Sequence, residues 1–191
     1  MTDITSASVA RRRMSRTADE PSPSNGVEQS LPDGASPDDL VACVELLFFA
    51  YRDFTGGPDA VLEQYAFGRA HHRVLHFVHR NPGLRVADLL DILRITKQSL
   101  ARVLKQLIDK GFIMQRAGND DRRERRLFVS AKGSRLADKL SALQTKHLEA
   151  ALAKAGPGAT EFARRFLFAM ITESDRPRVE ALVKLSASTR T

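Results

Sequence analysis

LRVADLLDILRITKQSLARVLKQLIDKGFIMQRAGNDDRRERRLFVSAKG, residues Leu84 to Gly133, decides how this chain folds. Val86, Leu89, Leu90 and Leu93 give a short helix one apolar face, and Arg94 and Ile95 form a turn. Thr96 is placed to cap the next helix, because its hydroxyl accepts one of the otherwise unpaired N–H groups of a first turn. Leu100, Val103, Leu104, Leu107 and Ile108 form that helix's buried stripe, and Gly111 closes it with the residue type that best accepts a left-handed backbone. Phe112 to Arg116 and Arg126 to Val129 read as two strands of a ribbon, with Gly118, Asn119, Asp120 and Asp121 at the bend. Helix, tight turn, helix and arginine-tipped ribbon is an order of elements that sets a helix and a charged loop against double-stranded DNA.

Outward from this core, the pattern is helical on both sides. Leu40, Cys43, Val44, Leu47, Phe48 and Tyr51 recur at helical spacing from Asp38 to Phe54, with Pro37 or Asp38 at the start. Gly56-Gly57-Pro58 is expected to break the chain, and a second helix to run from about Asp59 through Val78, ending before Asn81-Pro82-Gly83. Ser130 is a cap for a long helix to about Lys154, Gly156-Pro157-Gly158 ends it, and Thr160 is expected to cap a last helix through Met170 to about Leu185. The fold class is therefore mainly α with a small β-hairpin wing, a winged helix-turn-helix flanked by long helices. The expected organisation is a tail over 1–37 and one domain over 38–186, with 59–130 as DNA-binding lobe and 38–54 and 131–186 as dimerisation helices. Leu136, Leu140, Leu148, Leu152, Phe162, Phe166, Leu167, Met170 and Val183 are more apolar positions than the lobe requires. Packing them against Val41, Val44 and Phe48 across a subunit boundary predicts a homodimer, which also matches the two-fold symmetry of palindromic DNA.

Composition narrows the partners. The formal charge is +7, and residues 96–150 carry 13 Lys and Arg against 6 Asp and Glu, a net of +7 that equals the whole excess. A concentrated positive face favours a polyanion, though charge alone does not separate DNA from RNA or an anionic membrane. The longest apolar run, Leu46 to Tyr51, falls far short of the ~20 residues of a membrane span, and Arg11-Arg12-Arg13 has no apolar run behind it, so a cytoplasmic protein is expected. Residues 1–37 lack aromatics and are rich in Ser, Pro, Asp and Gly, which predicts a disordered tail or a weak DNA-binding arm. An organelle transit peptide has similar composition, but Asp19, Glu20, Glu28 and Asp33 oppose that reading. The single Cys43 excludes an intrachain disulfide and a thiolate zinc cluster.

The candidate DNA-reading residues follow from which faces remain. With the apolar stripe turned inward, Thr96, Lys97, Gln98, Ser99 and Arg102 occupy the exposed start of the second helix, and Lys105 is placed as a backbone clamp. Gln98 can bond bidentately to adenine, while Lys97 or Arg102 can reach guanine or phosphate, and Ser99 is short enough to permit close approach. An ordinary solvated helix face is the competing reading. Arg122, Arg123, Arg125 and Arg126 fall within five residues, where repulsion is a cost unless Asp120, Asp121, Glu124 or an external polyanion offsets it. Such a tip can place guanidinium groups in a minor groove, the alternative being a solvated basic hairpin with local salt bridges.

Residues 84–133 resemble the winged helix-turn-helix core of the MarR family of bacterial transcription regulators, and the flanking helices extend the likeness to about residues 38–186. Asp121-Arg122-Arg123 followed by Val129-Ser130 and Gly133 is its most specific part; the family usually has Asp-any-Arg and then Leu-Thr before that glycine. The resemblance implies that Asp121 braces the wing, that Arg123 enters the minor groove, and that Lys97, Gln98, Ser99 and Arg102 lie on the recognition helix. It also implies a dimer built from the first, fifth and sixth helices that binds a short inverted repeat. Such a protein commonly represses transcription until an effector binds, although some relatives activate.

The resemblance further implies a cleft for a small anionic aromatic between the dimerisation helices and the lobe. Arg52, Arg69, His71, His72 or Arg73, near Phe49, Tyr51 and Phe67, are the candidates, with anchoring of the lobe as the competing role. His72, His76 and His79 share one helical face and could supply two metal ligands, but without nearby carboxylates or thiolates, only distant Glu63 or His147, they read as packing histidines. Cys43 falls on the apolar stripe and reads as a buried small hydrophobe rather than a redox sensor, since Leu47-Phe48-Phe49-Ala50 occupies the place where peroxide-sensing relatives carry their cysteine. No phosphate loop, His-Glu-x-x-His pair or nucleophile elbow is present, so neither an enzyme nor a cofactor is expected. The alternative class is a sequence-blind DNA-organising or protein-interaction module.

Overall fold

The structure, a computed structural model, describes residues 34–118 and 124–183. The described residues divide into two units, one ending at Val41 and the other beginning at Ala42. In the first, Ser36 and Asp39 cap the start of α1 (Pro37–Glu63) reciprocally: the Ser36 N–H and hydroxyl both donate to Asp39 Oδ2 at 2.8 Å, and the Asp39 N–H donates to Ser36 Oγ at 3.2 Å. Pro37, one of the two residues expected near the start, takes the first helical position, where its missing N–H costs nothing. The bond from the Ser36 N–H holds the Asp39 carboxyl below its ordinary range.

Helix α1 does not stop at Gly56-Gly57-Pro58 but runs through them to Glu63. Thr55 Oγ1 donates back to Tyr51 O and Arg52 O at 2.9 and 3.1 Å, and Pro58, Thr55 and Leu62 are buried, so packing outweighs the poor helix propensity of Gly and Pro. The actual stop is Ala66, at φ 52°. Its N–H bonds to Glu63 O at 2.9 Å and that of Phe67 to Leu62 O at 3.1 Å, a Schellman closure sealed by burial of both Leu62 and Phe67.

From there the predicted lobe assembles around α2 (Arg69–Arg80), β1 (Leu84–Arg85), α3 (Val86–Leu93), α4 (Lys97–Asp109), β2 (Ile113–Ala117), β3 (Arg125–Val129) and α5 (Ala131–Ala155). The ribbon has a third strand: β1 pairs with β3 through Leu84 opposite Leu127 and Arg85 opposite Arg126, giving the antiparallel order β1-β3-β2. Leu75, Leu89, Leu100, Leu107, Leu127 and Leu140 are fully buried between these elements, each contributing roughly 1.5–3 kcal/mol on the area scale. Leu136 and Leu140 therefore belong to the lobe core and not to a subunit boundary.

Gly111 and Gly133 fix how the sheet meets the helices. Gly111, at φ 72°, lets its own N–H reach Ile108 O at 2.9 Å and that of Phe112 reach Leu107 O at 2.8 Å, ending α4 as predicted. Ser130 caps α5 by accepting the Gly133 N–H at 3.0 Å, and its hydroxyl donates to Gly111 O at 2.7 Å. At Gly133 the helix passes so close to the strand that an added Cβ would lie 2.1 Å from Phe112 O.

The expected last helix is divided. Gly158, not Thr160, is the N-cap of α6 (Ala159–Ala169), and a 3-10 turn at Glu173–Asp175 leads into α7 (Arg176–Val183). Arg176 occupies the corner, donating to Ile171 O at 3.1 Å and Ala169 O at 3.0 Å, carbonyls that a continuous helix would have satisfied internally.

Candidate DNA interface and cleft

The start of α4 is fixed by two hydroxyls. Thr96 Oγ1 accepts the Ser99 N–H at 3.1 Å and donates to Ser99 Oγ at 2.9 Å, so Ser99 is half-buried and occupied in the cap. Lys97, Gln98 and Arg102 are exposed beside it, whereas Leu100, Val103, Leu104 and Leu107 face the core. Lys105 lies further along and is held to Asp109 Oδ2 at 2.5 Å. Arg125 is exposed on β3, while Asp121, Arg122 and Arg123 lie outside the described residues.

Arg85 and Arg116, which the sequence pattern did not single out, form a row across the sheet with Arg126, which it did: Arg85 and Arg116 each stand opposite Arg126 in register. Like charges directly opposed on neighbouring strands repel. Glu124 offsets this, with Oε1 3.4 Å from Arg85 and Oε2 2.8 Å from Arg126, and Arg116 stacks over the Phe128 ring at 5.1 Å. Asp88 completes the set by taking Arg85 on α3. The Arg85-x-x-Asp88 spacing, that of a reciprocal helix cap, was the available signal; β1 is too short to show alternation.

A cleft of about 510 Å³ opens between α1, α2 and α5, lined among others by Tyr51, Phe54, Arg69, His72, Arg73, His76 and Gln144. It thus brings together three of the five predicted effector residues, Arg69, His72 and Arg73, while His71 is buried against Phe67. Arg69 is tied to Asp59 at 2.9 Å and stacks over Tyr51 at 5.1 Å. Arg52 does not line the cleft: its Nε donates to Asp53 at 2.8 Å and its guanidinium lies over Phe49 at 5.1 Å. Phe67 is likewise absent, being buried in the lobe core. Burial depresses the His72 and His76 pKa values below the ordinary imidazole range, the first further through His76 and the second through Arg80.

His79 turns away from these rings to pair with Asp138 at 3.0 Å, and among the described residues no three His, Cys, Asp or Glu side chains converge to hold a metal ion. Cys43 is exposed, contrary to its expected burial, because the whole of α1 from Leu40 to Tyr51 is uncovered in the protomer. No helix among the described residues is long and apolar enough to cross a membrane.

A short helix joined by a tight turn to a capped second helix, which leads into a three-stranded sheet, defines a winged helix-turn-helix protein. The family model of MarR regulators matches residues 67–124. The HTH-type transcriptional regulator PetP of Rhodobacter capsulatus is 46% identical over 139 residues, which cover 73% of this chain and 84% of PetP. The chain belongs to the MarR family, DNA-binding transcription regulators and not enzymes. The fold is also similar to that of Streptococcus pneumoniae FabT in complex with DNA, with TM-score 0.62 and 15% identity over 69% of this chain and 94% of FabT. A mutant MarR from E. coli complexed with operator DNA has TM-score 0.57 and 13% identity, over 71% of this chain and 97% of that one.

Proposed function

We propose that the protein is a homodimeric regulator that reads a short inverted repeat with the start of α4 and the wing, and that an anionic aromatic effector in the cleft releases it. The observation that carries the reading is the start of α4: Thr96 and Ser99 hold the first turn rigid while Lys97, Gln98 and Arg102 stay exposed beside it. Lys97 and Arg102 reach guanine or phosphate, Gln98 reads an adenine edge, and Lys105 and Arg125 steady the backbone. Arg122 and Arg123 enter the minor groove with Asp121 as brace.

Dimerisation is supported by apolar surface that a monomer leaves wet. Phe48 is 71% exposed and Phe162 70%, with Val44, Leu47, Leu148, Phe166, Leu167 and Met170 also uncovered. A second copy that covers these positions on α1, α5 and α6 pairs two recognition helices for a two-fold site. In the cleft, Arg73 and Arg69 supply positive charge and Tyr51, Phe54 and Phe77 supply aromatic walls, which suits a planar carboxylate. PetP is named a transcriptional regulator, and FabT and MarR were solved with DNA, in keeping with a cytoplasmic protein working on the chromosome.

The test is affinity selection of fragmented genomic DNA, followed by binding isotherms for the best fragment and a scrambled control at about 0.15 M salt. An inverted repeat bound at least ~10³-fold more tightly supports a site-specific regulator. Equal binding to both would replace it with a DNA-organising module.

A further inference from the structure

The first turn of α2 faces two ways. Arg69, His72 and Arg73 line the cleft, whereas His71, between them in sequence, is 9% exposed and stacks on Phe67 with ring centres 4.6 Å apart. Both of its ring nitrogens are engaged. The Gly68 N–H donates to Nδ1 at 3.1 Å, so the ring hydrogen sits on Nε2 and is donated to Gln106 Oε1 at 2.6 Å. Gln106 belongs to the exposed face of α4, and among the described residues this is the one side-chain hydrogen bond between α2 and α4. At the far end of α4 its C-cap Lys110 donates through Nζ to Tyr65 O; between these two bonds the helix is held by apolar packing through Leu100, Val103, Leu104 and Leu107, which resists separation but is not directional. A hydrogen bond, by contrast, weakens steeply with angle and distance.

We propose that His71 is a positioning residue for sequence reading: its bond to Gln106 fixes the rotation of α4 on the lobe and makes that rotation follow the cleft-lining turn of α2. The same helix carries Gln98 and Arg102, so a small turn about its axis moves both relative to base edges. The inference rests on the reading of α4 as the DNA-reading helix and of the cleft as the regulatory site.

The experiment uses the full-length protein and reads the ratio of operator to scrambled-DNA affinity. His71→Phe keeps the stack on Phe67 and removes both hydrogen bonds; Gln106→Leu removes the acceptor, and Gln106→Glu keeps it. The first two should each lower the ratio about tenfold, the upper end of what one hydrogen bond contributes. The double variant should lose no more than either alone, and Gln106→Glu should retain the ratio at unchanged thermal midpoint. An unchanged ratio in Gln106→Leu, or additive losses, would overturn the positioning role, and the two Gln106 variants decide this if His71→Phe does not fold.

Gln144→Trp, which fills the cleft from α5, replaces an unidentified ligand as the probe. It should alter operator affinity in the native chain and leave the Gln106→Leu chain unaffected; equal effects in both, or none in either, would overturn the link to the cleft. A native chain with no preference for any sequence would instead overturn the proposed function.

Discussion

Arg85 and Asp88 form a two-point fork at the joint between sheet and α3: Nη2 lies 2.6 Å from Oδ1 and Nε 2.7 Å from Oδ2. The hydrogen bond from Arg85 holds the Asp88 carboxyl below its ordinary value of 3.8, against the opposing effect of burial. A carboxyl depressed in the folded state contributes stability that is present above its unfolded pKa and is lost as pH falls through the folded one. Urea midpoints should therefore fall as pH drops below about 4, and Asp88→Asn should make that fall shallower. The pair is largely exposed, so its contribution is small and screened by solvent, and a pH profile of the variant identical to the native one would rule out the assignment.

Gly133→Ala tests the close approach of α5 to the strand. The new Cβ would sit 2.1 Å from a backbone oxygen, Phe112 O, which also accepts the Ser130 N–H at 3.0 Å and cannot swing aside. A destabilisation of roughly 1–3 kcal/mol is expected, read from chemical denaturation. Gly57→Ala is the control: it has open space around its Cβ and lies inside α1, so it should be neutral or stabilising by up to about 1 kcal/mol. Equal effects at the two positions would show that the contact is not tight.

The elements closed by local chemistry were legible from residues alone. Thr96, Gly111 and Ser130 each act within four residues of where they stand, so the ends of α4 and the start of α5 could be read from side-chain type. Elements set by tertiary packing were not. Gly56-Gly57-Pro58 has every local mark of a break, yet burial of Pro58 and Leu62 carries α1 onward, and the stop falls on Ala66, which nothing in its side chain announces. Leu136 and Leu140 have the same helical spacing as Leu148, and only the bend of the chain around them decides which are interior. At the site, the exposed start of α4 was visible as what an apolar stripe leaves over. The Glu124 bridge and the His71–Gln106 bond join residues 39 and 35 positions apart, a separation that no spacing rule spans.

Thr96→Ala should cost about 1 kcal/mol, because the Ser99 N–H loses its acceptor, and Thr96→Ser should restore it. Operator affinity should fall with the alanine and return with the serine, since the cap orders the turn that carries Lys97 and Gln98. Denaturation and binding isotherms measured on the same preparations check both; a loss of stability with DNA affinity unchanged would separate the cap from reading.

Gln98→Ala should flatten preference at one position in each half-site by about 1–3 kcal/mol, because its exposed amide is placed at the first turn of α4. Binding to a panel of single-base operator variants measures it. A uniform loss across the panel would reassign Gln98 to the phosphate backbone.

The cleft histidines give the protein a second pH window, separate from that of its carboxylates. His72 and His76 have folded pKa values below the ordinary 6.5, chiefly because burial disfavours the charged ring. Between the folded and unfolded values the unfolded chain binds more protons, so stability rises with pH across that interval; it is fully present above 6.5 and is lost as pH falls through the depressed values. Denaturation midpoints at about pH 7.5 should exceed those at pH 5.5, and the double variant His72→Gln, His76→Gln should abolish most of the difference while leaving the acid window of Asp88 in place. A carboxylate bound between Arg73 and these rings would favour their protonated forms, so benzoate should oppose the loss at pH 5.5 in the native chain and not in the double variant. If the midpoint is flat from pH 7.5 to 5.5, the rings are not held neutral by burial and the cleft is wetter than its lining implies.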